Sequence, residues 1–467
     1  MASRRVVAGI DSSTQSTKVL RVDADTGEVL GATSAPHPDG TAVDPEHWWR
    51  ALSSQTHDLG DLDDVQALAV GGQQHGMVAL DAAGEPVYDA LLWNDVRSAG
   101  QAQRLRDQWG AETWAREVGV VPVASFTLTK LAWLAEEHPE LAARVDRVLL
   151  PHDWLTWRLL GRPDEAVTDR SDASGTAYWS VTEGRYREDL VSAALGHLPR
   201  LPTVLGPADQ AGTTTAGAIV GAGCGDNAGA ALGLGLRPGD VAISIGTSGT
   251  VFASTPEPVV DPSGTIAGFA DATGGYLPLA ATINAARILS TTAGLLGVDL
   301  GRFDQLAQSG APDAGGLTLI PYLDGERTPN LPDATGTMLG LTRANLTPEN
   351  LARAAVLGLL CSLGSALEEL GRHGVAARRL VLIGGGSAST AVQQAAADLF
   401  GAEVVIPAPA EYVALGAARQ AAWAASTDSA PPDWPVTVAA TREPDQAGWA
   451  DEVRGRFAAA RSTMHGV

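Results

Sequence analysis

The sequence predicts an α/β protein of two domains, each opening on a strand–turn–strand hairpin able to hold phosphate. Two segments carry this prediction first. Ile10-Asp11-Ser12-Ser13-Thr14-Gln15-Ser16-Thr17-Lys18-Val19-Leu20 and Ser244-Ile245-Gly246-Thr247-Ser248-Gly249-Thr250-Val251-Phe252 share one pattern, about 230 residues apart. Each is a short apolar run, a tight turn of small and hydroxyl residues, and a β-branched return. Backbone N–H groups in such turns form anion-binding concavities. The second observation is length, since 467 residues exceed what one hydrophobic core usually supports. The third is the order of the opening elements. Three strands, a helix and a strand differ from the strand-then-helix opening of a dinucleotide-binding or P-loop domain.

Taken in order, Arg5 to Ile10 is the first strand and Lys18 to Asp23 the second. Asp25-Thr26-Gly27 is a turn, and Glu28 to Thr33 returns as a third strand, completing an antiparallel meander. Asp44-Pro45-Glu46 starts a helix, with Asp44 as N-cap and Pro45 at the first helical position. Val65 to Val70 is the next strand. This is the order of actin-like (ribonuclease H-like) ATPase domains. In the second half, Val241 to Ile245 and Thr250 to Ser254 form the repeated hairpin. Thr347-Pro348-Glu349 caps a long helix running to about Gly371, with Gly374 in the stop region. Leu380 to Ile383 is a buried strand, followed by Gly384-Gly385-Gly386 and a helix from about Ser389 to Phe400. Gly401 ends that helix, and Val404 to Ile406 is another strand. The tail after Ser426, rich in Pro, Ala and Asp, reads as peripheral. The domain boundary falls near Gly239, giving an N-terminal domain 1–239 and a C-terminal domain 240–467, with an interdomain catalytic cleft expected.

Composition narrows the class. Hydrophobic residues make up 45%, ordinary for a globular protein. No apolar run approaches the ~18 residues of a membrane span. Met1-Ala2-Ser3-Arg4-Arg5-Val6-Val7 runs straight into a strand, which leaves no room for a signal peptide. Cys224 and Cys361 are the only cysteines and make no disulfide framework, so a reducing cytoplasm is the expected location. A net charge of −22 argues against nucleic acid or anionic membrane as partner. It leaves a nucleotide acceptable, because backbone amides and a metal ion hold phosphate locally.

Only the first hairpin carries an acid, Asp11, and a base, Lys18. Asp11 is placed to position a hydrated Mg²⁺. Alone such a loop also reads as an ordinary polar turn, and the second copy at Gly246-Thr247-Ser248-Gly249 tips the balance. Gly221-Ala222-Gly223-Cys224-Gly225-Asp226-Asn227-Ala228 sets one carboxylate among residues with almost no side chain. A general base for a sugar hydroxyl needs an acid group, room for substrate and few competing partners. Asp226 also reads as the N-cap of the Ala-rich helix that follows, a position the helix dipole favours for an acid. Cys224 reads as a packing residue rather than a nucleophile.

Leu382-Ile383-Gly384-Gly385-Gly386-Ser387-Ala388 joins a strand to a helix and lets a nucleotide lie against bare backbone; a tight βα connection is the plain alternative. Gly71-Gly72-Gln73-Gln74-His75-Gly76-Met77 offers amide and imidazole groups beside glycines, suited to a polyol. Trp93-Asn94-Asp95 adds an aromatic face with polar neighbours. The twelve Trp residues are otherwise mostly core, including the Trp48-Trp49 pair.

Together these segments resemble the FGGY carbohydrate kinases over nearly the whole chain. The resemblance rests on DSSTQSTK, GGQQHGM, LLWNDVR, FTLTKLAWLAEEHPE, LPHDWLTWRLLG, TDRSDASGTAYW, GCGDNAGAALGLG, SIGTSGTVF, PYLDGERTP and LIGGGSAS. GQQHG and LWND are the strings expected of xylulose-specific members. The resemblance implies that ATP gives its γ-phosphoryl group to a sugar hydroxyl. It implies Asp226 as catalytic base, Asp11 and Asp226 as Mg²⁺ ligands, and Gln74, His75, Trp93, Asn94, Asp95 and Asn227 on the sugar. It places Ser13, Thr14, Gln15, Lys18, Gly246, Thr247, Ser248, Gly384, Gly385, Gly386, Ser387 and Ala388 on the nucleotide. The expected partners are a sugar and ATP, with a homodimer as the assembly to consider. Three positions depart from the family pattern: His152 precedes Asp153 where Lys is common, Asn330 stands where His is common, and Leu357 replaces a frequent acid. Two alternatives stay open at this point. One is a sibling kinase for another ketose or polyol such as ribulose. The other is an actin-like ATPase that switches protein partners, against which stand Asp226 in its glycine setting and the Gln74-His75 pair.

Overall fold

A computed structural model describes residues 4–60, 62, 64–445 and 448–466. The first three residues, part of the stretch read as leaving no room for a leader, lie outside the described residues. The chain forms two compact units. Unit 1 comprises Met1–Leu236, Thr255–Leu277 and Ala410–Pro435, and unit 2 comprises Arg237–Ser254, Pro278–Pro409 and Val436–Val467. The first crossing falls beside Gly239, but both units are discontinuous, because two short segments of the second half fold into unit 1.

Unit 1 opens as the expected meander: β1 (Val6–Ser12), β2 (Ser16–Asp23) and β3 (Val29–Pro36). A two-residue strand β4 (Ala42–Val43) follows, too short to leave a pattern in the sequence. Helix α1 (Glu46–Asp58) begins one residue later than predicted, with Pro45 in the cap position. Asp44 still caps it, since its Oδ1 accepts the Glu46 N–H at 2.9 Å. Then β5 (Ala67–Gly72) returns to the centre of the sheet. The sheet order is Gln210–Thr213, Ile219–Gly221, β5, β1, β2, β3, and Cys224–Gly225 also pairs with β5.

Side chains alternate across this sheet. On one face Ala8, Ile10, Val19, Leu68 and Val70 pack with Trp48, Leu52 and Trp154. On the other, Val7, Leu20, Val22, Ala67 and Ala69 pack on Ala414, Ala417, Ala418 and Ala421 of the helix Tyr412–Ala424. That helix lies close against β1: a Cβ at Gly9 would come within 1.8 Å of the Ala414 carbonyl oxygen.

In unit 2 the strands Tyr276–Thr282, Gly249–Ala253, Asp240–Ile245, Arg379–Ile383, Val404–Pro407 and Val438–Arg442 neighbour one another in that order. The repeated hairpin pairs Ser244 with Thr250. Its first strand runs parallel to Arg379–Ile383, with Ser244 opposite Ile383. The long helix spans Pro348–Arg372, and Thr347 accepts the Asn350 N–H through its hydroxyl at 3.3 Å. Among the described residues it is the one helix long and apolar enough to cross a membrane by length and composition. In this fold 72% of its most apolar window is buried within the protein.

The tail departs from expectation. Trp434 is buried beside Ala24 in unit 1, Val438–Arg442 extends the unit 2 sheet, and Trp449–His465 is a helix. Val453, Phe457 and Ala460 make its buried face. These apolar positions are spaced at helical intervals between charged residues, so overall composition concealed them.

Candidate active site

Three parallel strand ends lie side by side in unit 1. Asp11 of β1 pairs with Gly71 of β5, and Cys224 pairs with the same glycine from the other side. Ser12 and Gly225 likewise both face Gly72. The residues after these ends therefore emerge on one edge: Ser13 and Thr14, then Gln73 to His75, then Asp226. In open α/β sheets, ligands bind outside the carboxyl ends of the strands.

Asp11 is buried, 2% exposed. Burial pushes its carboxyl up to about 6, against the opposing pull of the Ser13 hydroxyl and Lys18. Ser13 Oγ donates to Asp11 Oδ1 at 2.5 Å. Lys18 Nζ lies 3.8 Å from Asp11 but 2.6 Å from Glu411, so its charge is already shared. The turn itself is pinned by His37, whose ring nitrogens contact Thr17 Oγ1 at 2.8 Å and the Ser13 carbonyl at 3.0 Å. The His37 backbone N–H donates to the Gln15 carbonyl at 2.7 Å and holds the far side. Trp93 Nε1 donates to Thr14 Oγ1 at 2.8 Å, which ties the Trp93-Asn94-Asp95 segment to this turn. Asn94 is exposed, whereas Asp95 is buried and accepts from Arg97 at 2.8 Å and Thr41 at 2.7 Å. Asp95 thus shapes its own loop.

Gln74 and His75 are buried and fixed. Gln74 Nε2 donates to the Ser171 carbonyl at 3.2 Å, and its side chain lies where a Cβ on Gly225 would otherwise sit. His75 Nδ1 is 2.7 Å from the Gly175 carbonyl, and its ring meets Phe126 edge-on at 5.0 Å. His75 adopts a φ of +69°, a conformation rare outside glycine. Its carbonyl is held there by Thr127 Oγ1 at 3.2 Å and Lys130 Nζ at 2.8 Å. Burial pushes the Lys130 amine down to about 7. Lys130 supports the site from a distant helix, Thr127–Glu137, and the sequence reading gave it no role because nothing local marks the contact.

Asp226 is the first residue of the helix Asp226–Gly233, and Gly225 is its cap. The N-cap reading is corrected by one position. Asp226 Oδ1 accepts from the Asn227 N–H at 2.7 Å and Asn227 Nδ2 at 2.8 Å. Asp226 remains partly accessible, while the protein around it desolvates the carboxylate. Desolvation lifts its carboxyl to about 7, with Asp11 adding repulsion and Asn227 opposing the rise. Cys224 is buried, and burial holds its thiol protonated far above the ordinary range. It fills space against Gly71 and Gly229.

In unit 2, Gly246 to Ser248 and Gly384 to Ala388 are the loops after two adjacent parallel strands. The second loop starts tight against the end of the first strand: Gly384 has φ +85°, and a Cβ there would fall 2.7 Å from Ile245 backbone atoms. Thr247, Gly384, Gly385 and Ala388 are exposed, and Ser387 Oγ closes the second loop on the Gly384 carbonyl at 2.7 Å. Gly385–Ala388 of this loop forms a short 3₁₀ turn that leads into the helix Thr390–Phe400. Of the three departures, Asn330 is exposed and Leu357 is buried in the long helix. His152 is entirely buried beneath Gly72 and Gly223.

Sequence comparison matches residues 6–233 to the N-terminal domain of the FGGY family of carbohydrate kinases and residues 241–425 to its C-terminal domain. The chain belongs to this family. It is 48% identical over 432 residues to a xylulose kinase of Streptomyces coelicolor, covering 89% of this chain and 87% of that protein. It is 33% identical over 448 residues to a xylulose kinase of Escherichia coli, covering 90% of each. Among solved structures, a xylulose kinase from Bifidobacterium adolescentis superposes with a TM-score of 0.91 at 46% identity, covering 98% of this chain and 99% of that one. As an FGGY kinase the protein has the actin-like ATPase fold in both sheet-rich domains, and it is a sugar phosphotransferase.

Proposed function

We propose that this FGGY kinase transfers the γ-phosphoryl group of ATP to the terminal hydroxyl of D-xylulose, forming D-xylulose 5-phosphate and ADP in xylose breakdown. The observation that carries the reading is Asp226. It is a partly accessible carboxylate poised near neutrality, one residue after Gly225, on which the Gln74 side chain packs. A base with a pKa near the working pH best removes a hydroxyl proton as the new P–O bond forms. The sugar oxygen attacks the γ-phosphorus, the bond to the ADP oxygen breaks, and the hydroxyl proton passes to Asp226. Gln74 and His75 orient the sugar, with Trp93, Asn94 and Asn227 bordering it. Ser13, Thr14, Gln15 and Lys18 offer donors to phosphate, and the loops Gly246 to Ser248 and Gly384 to Ala388 offer bare backbone to the nucleotide.

Asp11 and Asp226 suit a divalent cation such as Mg²⁺. Both carboxylates are raised by desolvation and repel each other, and the Lys18 cation beside Asp11 is already shared with Glu411. Hard oxygen donors of this kind match Mg²⁺, which often stays hydrated and binds through one or two carboxylates plus phosphate. Bound there, it would neutralise charge on the phosphates during transfer. A coupled ADP-release assay with xylulose, ribulose, glycerol and gluconate tests the proposal. Xylulose is expected to give the highest kcat/KM. Preference for another sugar would reassign the substrate, and turnover indifferent to all sugars would favour a nucleotide-driven switch.

A further inference from the structure

Beneath the sugar-binding loops lies a buried charge cluster that the reaction itself does not use. His152, Asp153, Asp169 and Asp172 are each at most 2% exposed. His152 projects from the helix Pro151–Leu159 into space left by two glycines. A Cβ on Gly72 would fall 2.8 Å from the His152 Cβ, and one on Gly223 would fall 2.4 Å from its Cδ2. Both glycines belong to the segments that deliver Gln74 and Asp226. His152 Nδ1 is 2.7 Å from Asp172 Oδ2. On its other side, Nε2 is 3.3 Å from Asp153 Oδ1 and 3.8 Å from Asp169 Oδ1. Three carboxylates thus face one imidazole.

The cluster is coupled to the site through the helical turn Arg170–Ala173. Asp169 caps that turn, accepting the Ser171 N–H at 2.7 Å, the Ser171 hydroxyl at 2.6 Å and the Asp172 N–H at 3.0 Å. Ser171 then reaches both halves of the site. Its carbonyl holds Gln74 Nε2 at 3.2 Å, and its hydroxyl accepts the Gly225 N–H at 3.0 Å, one residue before Asp226. Gly175, just past the turn, holds His75.

We propose that His152 is a positioning residue for the sugar site: as a buried imidazolium it balances Asp153, Asp169 and Asp172, and so fixes the Arg170–Ala173 turn that orients Gln74, His75 and Asp226. Buried charges persist when they are paired, and removing one partner strands the others. Burial alone would lower the basicity of His152, but the three carboxylates outweigh it and raise the ring to about 10. Nδ1 lies too close to Asp172 for an ion to sit between them, so that contact is a hydrogen bond. Among the described residues, Nε2, Asp153 Oδ1 and Asp172 Oδ1 have no hydrogen-bond partner, and His152, Asp153 and Asp172 together have metal-ligand spacing, so a metal on the far side of the ring is the competing reading.

His152→Gln removes the charge while keeping a polar side chain. It is expected to lower the melting temperature and raise KM for D-xylulose roughly tenfold or more, the scale of a lost buried hydrogen bond. Because the same turn holds Gly225, next to Asp226, kcat is expected to fall along with the rise in KM. His152→Lys restores a cation and should bring KM back towards wild type. Adding Asp172→Asn to His152→Gln deletes a stranded carboxylate and should recover melting temperature. A folded His152→Gln enzyme with wild-type KM would overturn the proposal. So would a stoichiometric metal in the purified enzyme that His152→Gln releases. If His152→Gln fails to fold, His152→Lys decides: a folded enzyme with near-normal KM supports the charge role, and anything else opposes it. The inference rests on the sugar-site reading. A wild type inactive on every sugar sinks both, whereas an active wild type with unaffected variants sinks this one alone.

Discussion

Asp226 sits where ionisation is costly, and that cost sets a pH dependence. Its folded-state carboxyl is raised to about 7, so it is protonated below that pH and cannot accept the sugar proton. Xylulose-dependent kcat/KM is therefore expected to fall as pH is lowered through about 7. A pH-rate profile flat from pH 5.5 to 8 would remove Asp226 from this role. Asp226→Asn keeps the shape and abolishes the basicity, so turnover should drop by roughly two to four orders of magnitude with partial retention of sugar binding. Gln74→Ala and His75→Ala should each weaken xylulose use about tenfold or more, with much less effect on sugar-independent ATP hydrolysis. Equal losses in the two activities would move the pair from sugar recognition to fold support. The sequence singles these residues out because each sits in a compact run of glycines and polar groups. The sequence marks His152 only as a departure from the family pattern and gives Lys130 no role. Their contacts, to the His75 carbonyl and to Asp172, join segments that only folding brings together.

At the level of elements, the position of Asp226 depends on how tightly two helices approach. Helices Asp226–Gly233 and Tyr412–Ala424 touch through glycine. A Cβ on Gly416 would lie 1.9 Å from the Gly229 carbonyl oxygen, and one on Gly233 would lie 2.1 Å from the Tyr412 carbonyl oxygen. Neither obstacle is a flexible side chain, so the helices must separate if a side chain enters. Gly416→Val is expected to destabilise the protein by about 1–3 kcal/mol, typical of overpacking. It should also lower xylulose turnover, because the displaced helix begins at Asp226. A melting temperature and kcat both unchanged would show that the contact tolerates expansion. The strands of both hairpins, the long helix and its Thr347 cap follow from periodicity and cap residues, which act locally. The Asp44 cap was also legible, although the helix starts one residue later. What local pattern could not give is the pairing of Cys224–Gly225 with β5 at Gly71 and Gly72, a two-residue contact that brings Asp226 out beside the start of the Gln73–His75 segment. The final helix, Trp449–His465, was missed because three buried side chains among many charged ones resemble a solvated tail.

At the scale of the whole molecule, the chain path decides which fragments can fold. Residues 1–239 contain β1, β2 and β5, but the helix that covers one face of their sheet lies at Tyr412–Ala424. Without it, Val7, Leu20, Val22, Ala67 and Ala69 lose their packing partners Ala414, Ala417, Ala418 and Ala421. Fully burying a Val or Leu side chain contributes about 1.5–3 kcal/mol, so exposing Val7, Leu20 and Val22 forfeits roughly 5–9 kcal/mol. Native domains have only about 5–15 kcal/mol of net stability, so this loss alone approaches the whole. The fragment also loses Thr255–Leu277, which brings Phe269 to within 5.5 Å of the His75 ring centroid. Fragment 1–239 is therefore expected to show no cooperative thermal transition and no xylulose binding, although it contains Asp11, Gln74, His75 and Asp226. The full chain should show both by calorimetry. Adding a synthetic peptide of residues 410–435 at high concentration should recover part of the fragment's ordered secondary structure, because it supplies the missing apolar face and the Trp434 contact to Ala24. A fragment 1–239 that melts cooperatively and binds xylulose unaided would mean that the sheet tolerates an open face, and that the crossing back at Ala410 serves something other than the core of unit 1.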